Sequence, residues 1–414
     1  MTSIQSVLAA FAIILIDLLG RAGLDKMLAL VGGPDMVALW AQLQSVVELV
    51  SAVALAGVLQ GLTVMITQVR ESRDERRLLR DALKLGLGAS LAVALAAPVL
   101  ATWLTHGKIE LNLFMLAALA GWFAIIPATL NAYWLGKHQQ QRMLGLALLT
   151  GTALLLVAAG AWLGLSLRGL MLAQCLVLLI IGSVIWRYLR KLSREYDVPD
   201  GGTDYFSKLV KFVPVGLMIG IMSPVSMLLV RGTLSDVLSW SDVGLVQALW
   251  RSTEWVTATA AGVLSLVFLP RLSAAYGTAQ FRREITRAGV IVLIAAACLL
   301  LLIFFNQRAM LAALYDTRFV VSDEAAALMM LGCWMRIASW VFLFGLFAAH
   351  RTRLIVAGEV LSLPLYALLL WLFADGMTLE RTALLYLASY SVYLGFNVAA
   401  LHYSSRKSNT DSGV

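Results

Sequence analysis

Apolar residues follow one another for about twenty positions at a time along most of this chain, and most of the charges fall between the runs. Leu144 to Leu163 and Val290 to Phe305 are typical. The runs do not alternate apolar with polar residues as barrel strands must, so they predict membrane-spanning helices, which satisfy their own backbone hydrogen bonds in hydrocarbon. Twelve such spans are placed near Ser3–Val31, Met36–Ile66, Leu83–Leu104, Leu111–Tyr133, Met143–Leu165, Gly169–Ile185, Leu209–Val230, Val243–Leu269, Ile285–Phe305, Ala325–Phe347, Leu354–Phe373 and Thr378–His402. The fold class expected is an all-α polytopic membrane protein of about twelve transmembrane helices in two six-helix lobes related by pseudo-two-fold symmetry.

Composition agrees. Of 414 residues, 60% are hydrophobic and 14% charged, against about 45–50% and about 25% in soluble domains. The first apolar run lacks the basic start and small-residue cleavage site of a signal peptide, so it reads as a retained helix. A net charge of +8 could suggest nucleic acid, but its placement argues otherwise. With the N-terminus inside, 22 of the 32 Lys and Arg residues fall on inner segments. Six fall on outer ones: Lys108, Arg168, Arg231, Arg308, Arg318 and Arg381. Basic residues stay on the cytoplasmic side during insertion. The expectation is a multi-pass protein of the bacterial inner (cytoplasmic) membrane with both termini cytoplasmic and no nucleic-acid partner.

Every loop is short. The longest hydrophilic stretch, Arg187 to Lys208, carries "DVPDGGTD" from Asp197 and separates six spans from six. The domains expected are an N-terminal lobe at 1–190, a cytoplasmic linker at 191–207, a C-terminal lobe at 208–403 and a cytoplasmic tail at 404–414. At an offset of 206 residues, Val37, Leu39, Leu43, Glu48, Val50, Ala52 and Ala54 meet identical residues in the eighth span. The match of Glu48 with Glu254 weighs most, because acids inside spans are rare. It points to a parallel duplication. Pro214 and Pro224, with Gly216 and Gly220 between them, predict kinks in the seventh span. The charged inner loop from Arg70, "RESRDERRLLRDALK", reads as a helix at the membrane surface.

Nine ionic residues lie inside the spans: Asp17, Arg21, Asp25, Lys26, Glu48, Arg251, Glu254, Arg336 and Glu359. Facing lipid, they would cost on the order of 25 kcal/mol together, so they must pair or line a polar interior. Asp17, Arg21 and Asp25 share a helix face, and both carboxylates can bracket Arg21. That face closes on itself as a ladder or lines a wet cavity that attracts an anion. Lys26 lies near the outer end and can also snorkel. Arg251 and Glu254 share a face, and Arg336 and Glu359 can pair across the tenth and eleventh spans.

The candidate substrate-binding set is therefore Arg21, Lys26, Arg251 and Arg336, with Trp250 and Trp255 as rings for a sugar. The candidate ion-coupling set is Asp17, Asp25, Glu48, Glu254 and Glu359. For the acids the alternative is a plain ion pair with a neighbouring arginine. Trp40, Trp103, Trp122, Trp134, Trp162, Trp186, Trp240 and Trp371 read as an interfacial belt.

The sequence carries no phosphate-binding glycine loop, no zinc-type His spacing and no nucleophile elbow. His106, His138, His350 and His402 are scattered at span ends, and Cys175, Cys298 and Cys333 sit within apolar stretches. No cofactor or metal is expected, and the chain reads as a transporter, not an enzyme. In the longest outer loop, Asp316, Asp323 and Glu324 read as helix-capping residues rather than catalytic acids.

Five segments of the second half carry a resemblance: "DVGLVQALWRSTEW" from Asp242, "LSLVFLPRLSAAY" from Leu264, "LYDTRF" from Leu314, "LGCWMRIASWVFLFG" from Leu331 and "AGEVLSL" from Ala357. The opening "LALVGGPDMVALWAQLQSVVELVSAVALAGVLQGLT" from Leu28 adds an apolar helix, a Gly-Pro turn and a glutamine-bearing second helix. In these the whole chain resembles the oligosaccharide-lipid flippases of the multidrug/oligosaccharidyl-lipid/polysaccharide superfamily, the O-antigen and lipid III translocases especially. The resemblance implies two six-helix lobes rocking about a central cavity. It implies as cargo a short glycan on an undecaprenyl-pyrophosphate carrier, moved from the cytoplasmic to the periplasmic leaflet. A proton or sodium would be the coupling ion, and membrane lipids, a glycan polymerase and chain-length machinery would be partners. Glu254 stands where relatives carry an aspartate and Arg336 where they carry a base, while Cys333 replaces an acid three positions before that base. A multidrug exporter of the same fold and a membrane glycosyltransferase or polymerase are the rival readings.

Overall fold

A computed structural model describes residues 3–69, 71–194, 205–211, 213–278 and 280–411 of the chain. Every regular element among them is helical, as hydrocarbon demands of a chain whose apolar runs do not alternate. Two units emerge, one to Leu228 and one from Leu229.

The first unit contains α1 (Ser3–Val53), α2 (Gln60–Ile66), α3 (Ser72–Leu104), α4 (Leu111–Phe123), α5 (Ile125–Gly136), α6 (Gln140–Trp162), α7 (Leu167–Arg194) and α8 (Tyr205–Val210). The helix α9 (Val213–Val237) carries the boundary between the units. The second unit continues with α10 (Trp240–Val263), α11 (Leu269–Ala275), α12 (Gln280–Phe305), α13 (Gln307–Leu314), α14 (Asp323–Ala348), α15 (Thr352–Val360), α16 (Leu363–Leu372) and α17 (Leu379–Asp411). Residues 195–204 of the hydrophilic stretch lie outside the described residues.

Ten helical stretches among the described residues are long and apolar enough to cross a membrane. The sequence predicts twelve spans, and the difference has two sources. The first and second are merged in α1, which Gly33 breaks with φ 67° and ψ −161° immediately before Pro34. That backbone region is open almost only to glycine. The seventh span is α9, uncharged and apolar from Val213 to Val230 but not described throughout, so it falls outside the ten. Pro224 lies inside α9, and Pro214 is its second residue. The charged segment from Arg70 is helical from Ser72 onward and extends α3 beyond the bilayer. At 33 residues, α3 spans about 50 Å against a hydrocarbon core of about 30 Å.

Packing in the first unit depends on small residues that let backbones approach. A Cβ on Gly121 of α4 would stand 2.7 Å from the Val47 carbonyl oxygen, so α1 and α4 meet backbone to backbone there. At the membrane surface, Leu78, Leu79, Ala82 and Leu83 of α3 form one apolar cluster with Leu189 of α7 and with Tyr205 and Leu209 of α8. Glu75 ties this end of α3 to α5 through the Tyr133 hydroxyl and the Lys137 ammonium.

The two units repeat one plan. The starts of α14, α15 and α17 each follow those of α4, α6 and α7 by 212 residues. His138 and His350, also 212 apart, both take positive φ, 55° and 54°. Each closes its helix with the same pair of bonds, His138 N–H to Leu135 O with Gln139 N–H to Trp134 O, and His350 N–H to Phe347 O with Arg351 N–H to Leu346 O. Gly164 and Gly376 form a second pair of positive-φ turns at that spacing. Nearer the start of each unit the offset is 206: α10 begins at Trp240 where the second arm of α1 begins at Pro34. The outer connection that contains α13 is longer, residues 306–322 standing where the first unit has 105–110, and this outweighs the shorter α12, 26 residues against 33 in α3. A π-helical segment, Ala54–Leu59 in one unit and Leu264–Phe268 in the other, lies within each second span.

Gly33→Ala is expected to lower stability by about 1–3 kcal/mol, because alanine cannot hold that backbone conformation without strain. Gly88→Ala, at a position where an added methyl meets nothing within 4 Å, is the matched control. Thermal unfolding midpoints of the two purified variants check this, and equal midpoints would remove the argument for the break.

Candidate functional site

In the first unit the break at Gly33 folds α1 back on itself, and this brings three of the predicted ionic residues together. The Arg21 guanidinium lies 3.0 Å from Asp17 on its own arm and 3.9 Å from Glu48 on the other arm. All three side chains remain open, 43% exposed for Arg21, 52% for Asp17 and 55% for Glu48. Asp25 is buried one turn beyond Arg21, and Lys26 is partly buried. One turn before Glu48, Gln44 exchanges amide hydrogen bonds with Gln174 of α7, 2.9 Å in one direction and 3.4 Å in the other.

In the second unit Arg251 donates to Glu254 at 2.7 Å along one turn of α10. Both are partly buried, as is Trp255. The π-helical segment begins ten residues after Glu254; such segments occur disproportionately at functional sites.

Arg336 of α14 is held in another way. Its guanidinium lies 4.9 Å from the centre of the Trp340 ring, 5.5 Å from Tyr390 and 5.7 Å from Trp250. The sequence allows an ion pair between Arg336 and Glu359, and the structure gives the two different direct partners. Glu359 instead accepts a 2.8 Å bond from the Tyr393 hydroxyl. Aromatic faces shelter Arg336 because a ring quadrupole attracts a cation without itself needing a counter-charge.

Trp250 is likewise enclosed. It is only 5% exposed, stacked on Tyr366 at 6.3 Å and edge-on to Tyr386 at 5.0 Å. A sugar could stack on it only after those rings part.

Glu359 occupies a break that the sequence reading treats as continuous helix. α15 ends at Val360, Ser362 leaves helical geometry, and α16 starts at Leu363 with Pro364 in its first turn. The Ser362 hydroxyl donates to the Glu359 carbonyl at 2.6 Å, satisfying a helix-end acceptor. Interrupted spans are the usual location of substrate and ion sites in transporters. Pro364 was the signal, since the residue before proline is driven out of the helical region.

Two further expectations are corrected. Arg231, assigned to an outer loop, is buried in α9 at 7% exposure. Its Nε and Nη2 both donate to the Gln247 carbonyl oxygen, at 3.1 and 2.9 Å. Trp40, assigned to the interfacial belt, is 3% exposed and part of the core. Trp103, Trp162, Trp186 and Trp371 are exposed as the belt requires.

The acids of the outer loop have structural employment. Asp323 and Glu324 occupy the first turn of α14, after the capping Ser322. Asp316 accepts from Arg318 and from the Thr317 backbone, and these bonds hold its carboxyl below the usual carboxylate range. Its contribution to the loop is therefore present above that range and is lost on acidification. Among the described residues no group of three or more His, Cys, Asp and Glu side chains could hold a metal.

No family profile matches the chain. It is similar to the lipid III flippase of Escherichia coli (strain K12), 23% identical over 392 residues that cover 89% of this chain and 90% of that one. The lipid III flippase of Shigella flexneri matches to the same extent. Among solved structures, an inward-facing multidrug resistance MATE family transporter of the MOP superfamily superposes with a TM-score of 0.67 at 11% identity. That superposition covers 96% of this chain and 94% of the other. The lipid II flippase MurJ, in an inward closed conformation, gives 0.66 at 12% identity over 99% and 91%. The chain thus has the polytopic helical fold of these transporters, and its relatives are transporters rather than enzymes.

Arg336→Gln is expected to destabilise the purified protein by about 2 kcal/mol or more, since three desolvated ring contacts lose their cation. Arg336→Lys, which keeps the charge but not the flat guanidinium, should fall between this variant and the parent. Unfolding midpoints in that order support the aromatic cage, and three equal midpoints contradict it.

Proposed function

We propose that the protein is a flippase for an undecaprenyl-pyrophosphate-linked oligosaccharide, an O-antigen or lipid III-like repeat unit. It carries this cargo from the cytoplasmic to the periplasmic leaflet of the inner membrane by ion-coupled alternating access. The observation that carries the reading is the open arginine inside a spanning helix. Arg21 is held by two carboxylates yet still exposed. An exposed charge at that depth is costly unless it meets water or an anion. The likeness to lipid III flippases over nine-tenths of the chain supplies the cargo class.

The physical task fits these parts. A pyrophosphate and several sugars cannot cross about 30 Å of hydrocarbon unaided. A guanidinium can replace the water around a phosphate oxygen with paired charge-assisted hydrogen bonds. When the pyrophosphate takes Arg21, Asp17 and Glu48 lose their counter-charge, and proton or sodium uptake at Glu48 offsets one of the two negative charges left behind. Glu254, which already pairs with Arg251, serves the same purpose in the second unit, with Asp17, Asp25 and Glu359 as further acids in the coupling set. Lys26 of the first unit and Arg251 and Arg336 of the second are the other candidate cations, with Trp255 as a candidate ring for a sugar. A glycan polymerase and chain-length machinery would then receive the product.

Arg21→Ala is expected to lower flipping of a lipid-linked oligosaccharide at least tenfold in proteoliposomes, with equal amounts of protein in the membrane. Glu48→Gln should weaken the dependence of that rate on an imposed proton or sodium gradient. Unchanged transport in Arg21→Ala, together with new drug sensitivity of a deletion strain, would favour the multidrug exporter reading instead.

A further inference from the structure

Gln44 and Gln174 form a reciprocal amide pair between α1 and α7, and the duplication supplies an internal control for it. At the offsets established above, Gln44 corresponds to Trp250 and Gln174 to Tyr386. Those two residues also touch, ring edge to ring face, 5.0 Å apart. The fold therefore needs a contact between these two helices at this point, and apolar rings meet the need in the second unit. An amide pair is a poor way to make such a contact. Moving amides out of water has a desolvation cost that their mutual bonds only partly offset, and apolar groups of suitable shape replace them at little loss.

What the amides add is chemistry. Two carboxamides joined by two hydrogen bonds keep one N–H and one lone pair each for a third party. That array of adjacent donors and acceptors matches the vicinal hydroxyls or the acetamido group of a sugar. Glutamine is uncharged, so the pair does not compete with Arg21 for phosphate. Gln44 shares a helix face with Glu48, one turn away, and Glu48 contacts Arg21. Glu48 thus links the two groups, one turn from Gln44 on its own helix and 3.9 Å from Arg21 on the other arm.

We infer that the Gln44–Gln174 amide pair is a specificity-determining element that reads the sugar residue attached to the pyrophosphate held at Arg21. The inference rests on the transport function proposed above. The sugar would take over one or both of the amide bonds when the head group is seated, so recognition exchanges hydrogen bonds rather than opening an apolar contact.

The test compares two probes in proteoliposomes, undecaprenyl pyrophosphate carrying a short glycan and undecaprenyl pyrophosphate without sugar. The variants are Gln44→Leu, Gln174→Leu and the double change Gln44→Trp with Gln174→Tyr, which transplants the ring pair of the second unit. The expected result is that the ratio of glycosylated to sugar-free transport falls about tenfold in all three, through a higher KM for the glycosylated probe. Tenfold corresponds to about 1.4 kcal/mol, the scale of one or two neutral hydrogen bonds. Equal losses on both probes would mean that the pair only holds the helices together, and an unchanged ratio would overturn the inference outright. Arg21→Ala, run in parallel, reports on the underlying function. If it transports both probes normally, the head-group site itself is wrong, whatever the glutamine variants do.

Discussion

Charge in hydrocarbon is the constraint on which the rest of this structure depends. A guanidinium at the centre of a spanning helix costs several kcal/mol unless something replaces its water. Four arginines, three inside predicted spans and Arg231 at the end of one, each find a different partner. Arg21 has two half-open carboxylates, Arg251 one neighbour on its own helix, Arg231 a buried amide and Arg336 three aromatic rings. The solutions are not equivalent. Rings and a buried amide enclose a charge permanently and make it part of the scaffold. Carboxylates that stay exposed leave a charge available to a competitor. By this criterion Arg21 is best placed to exchange partners, and Arg336 is a structural cation first.

The duplication sharpens that contrast. Both units use the same helix order, the same positive-φ histidine turns and a π-helical segment within the second span. Yet at one pair of corresponding positions the first unit is polar where the second is apolar: an amide pair against a tryptophan–tyrosine contact. A repeated scaffold relieves one copy of part of the chemical task. Stability can be concentrated where Trp250, Tyr366, Tyr386 and Tyr390 interlock. The first copy then keeps at these positions the amides that a hydrophilic cargo can use.

Breaks in the helices have a comparable division of roles. Gly33 reverses α1 so that Arg21 and Glu48, far apart along the chain, face each other. The break after Val360 frees the Glu359 carbonyl for Ser362 and leaves its carboxylate to Tyr393. In each case a locally costly backbone conformation places an ionic side chain where a continuous helix could not.

The sequence by itself determined the helical membrane fold, because only helices satisfy the backbone of such long apolar runs. It also determined the fold-back at Gly33–Pro34, because few other residue pairs reverse a helix so sharply. It named most of the intramembrane charges, and Glu48 with Glu254 disclosed the duplication. Arg231 escaped it, since an arginine close to a predicted span end looks the same whether it lies in a loop or a buried turn. Pro364 marked the break beside Glu359, but within so apolar a run it was outweighed. Only the tertiary structure decided which partner each charge takes. Tyr393 with Glu359, Gln174 with Gln44 and the three rings around Arg336 are contacts between separate helices. Helical periodicity says which residues share a face, but side-chain packing alone settles which faces meet.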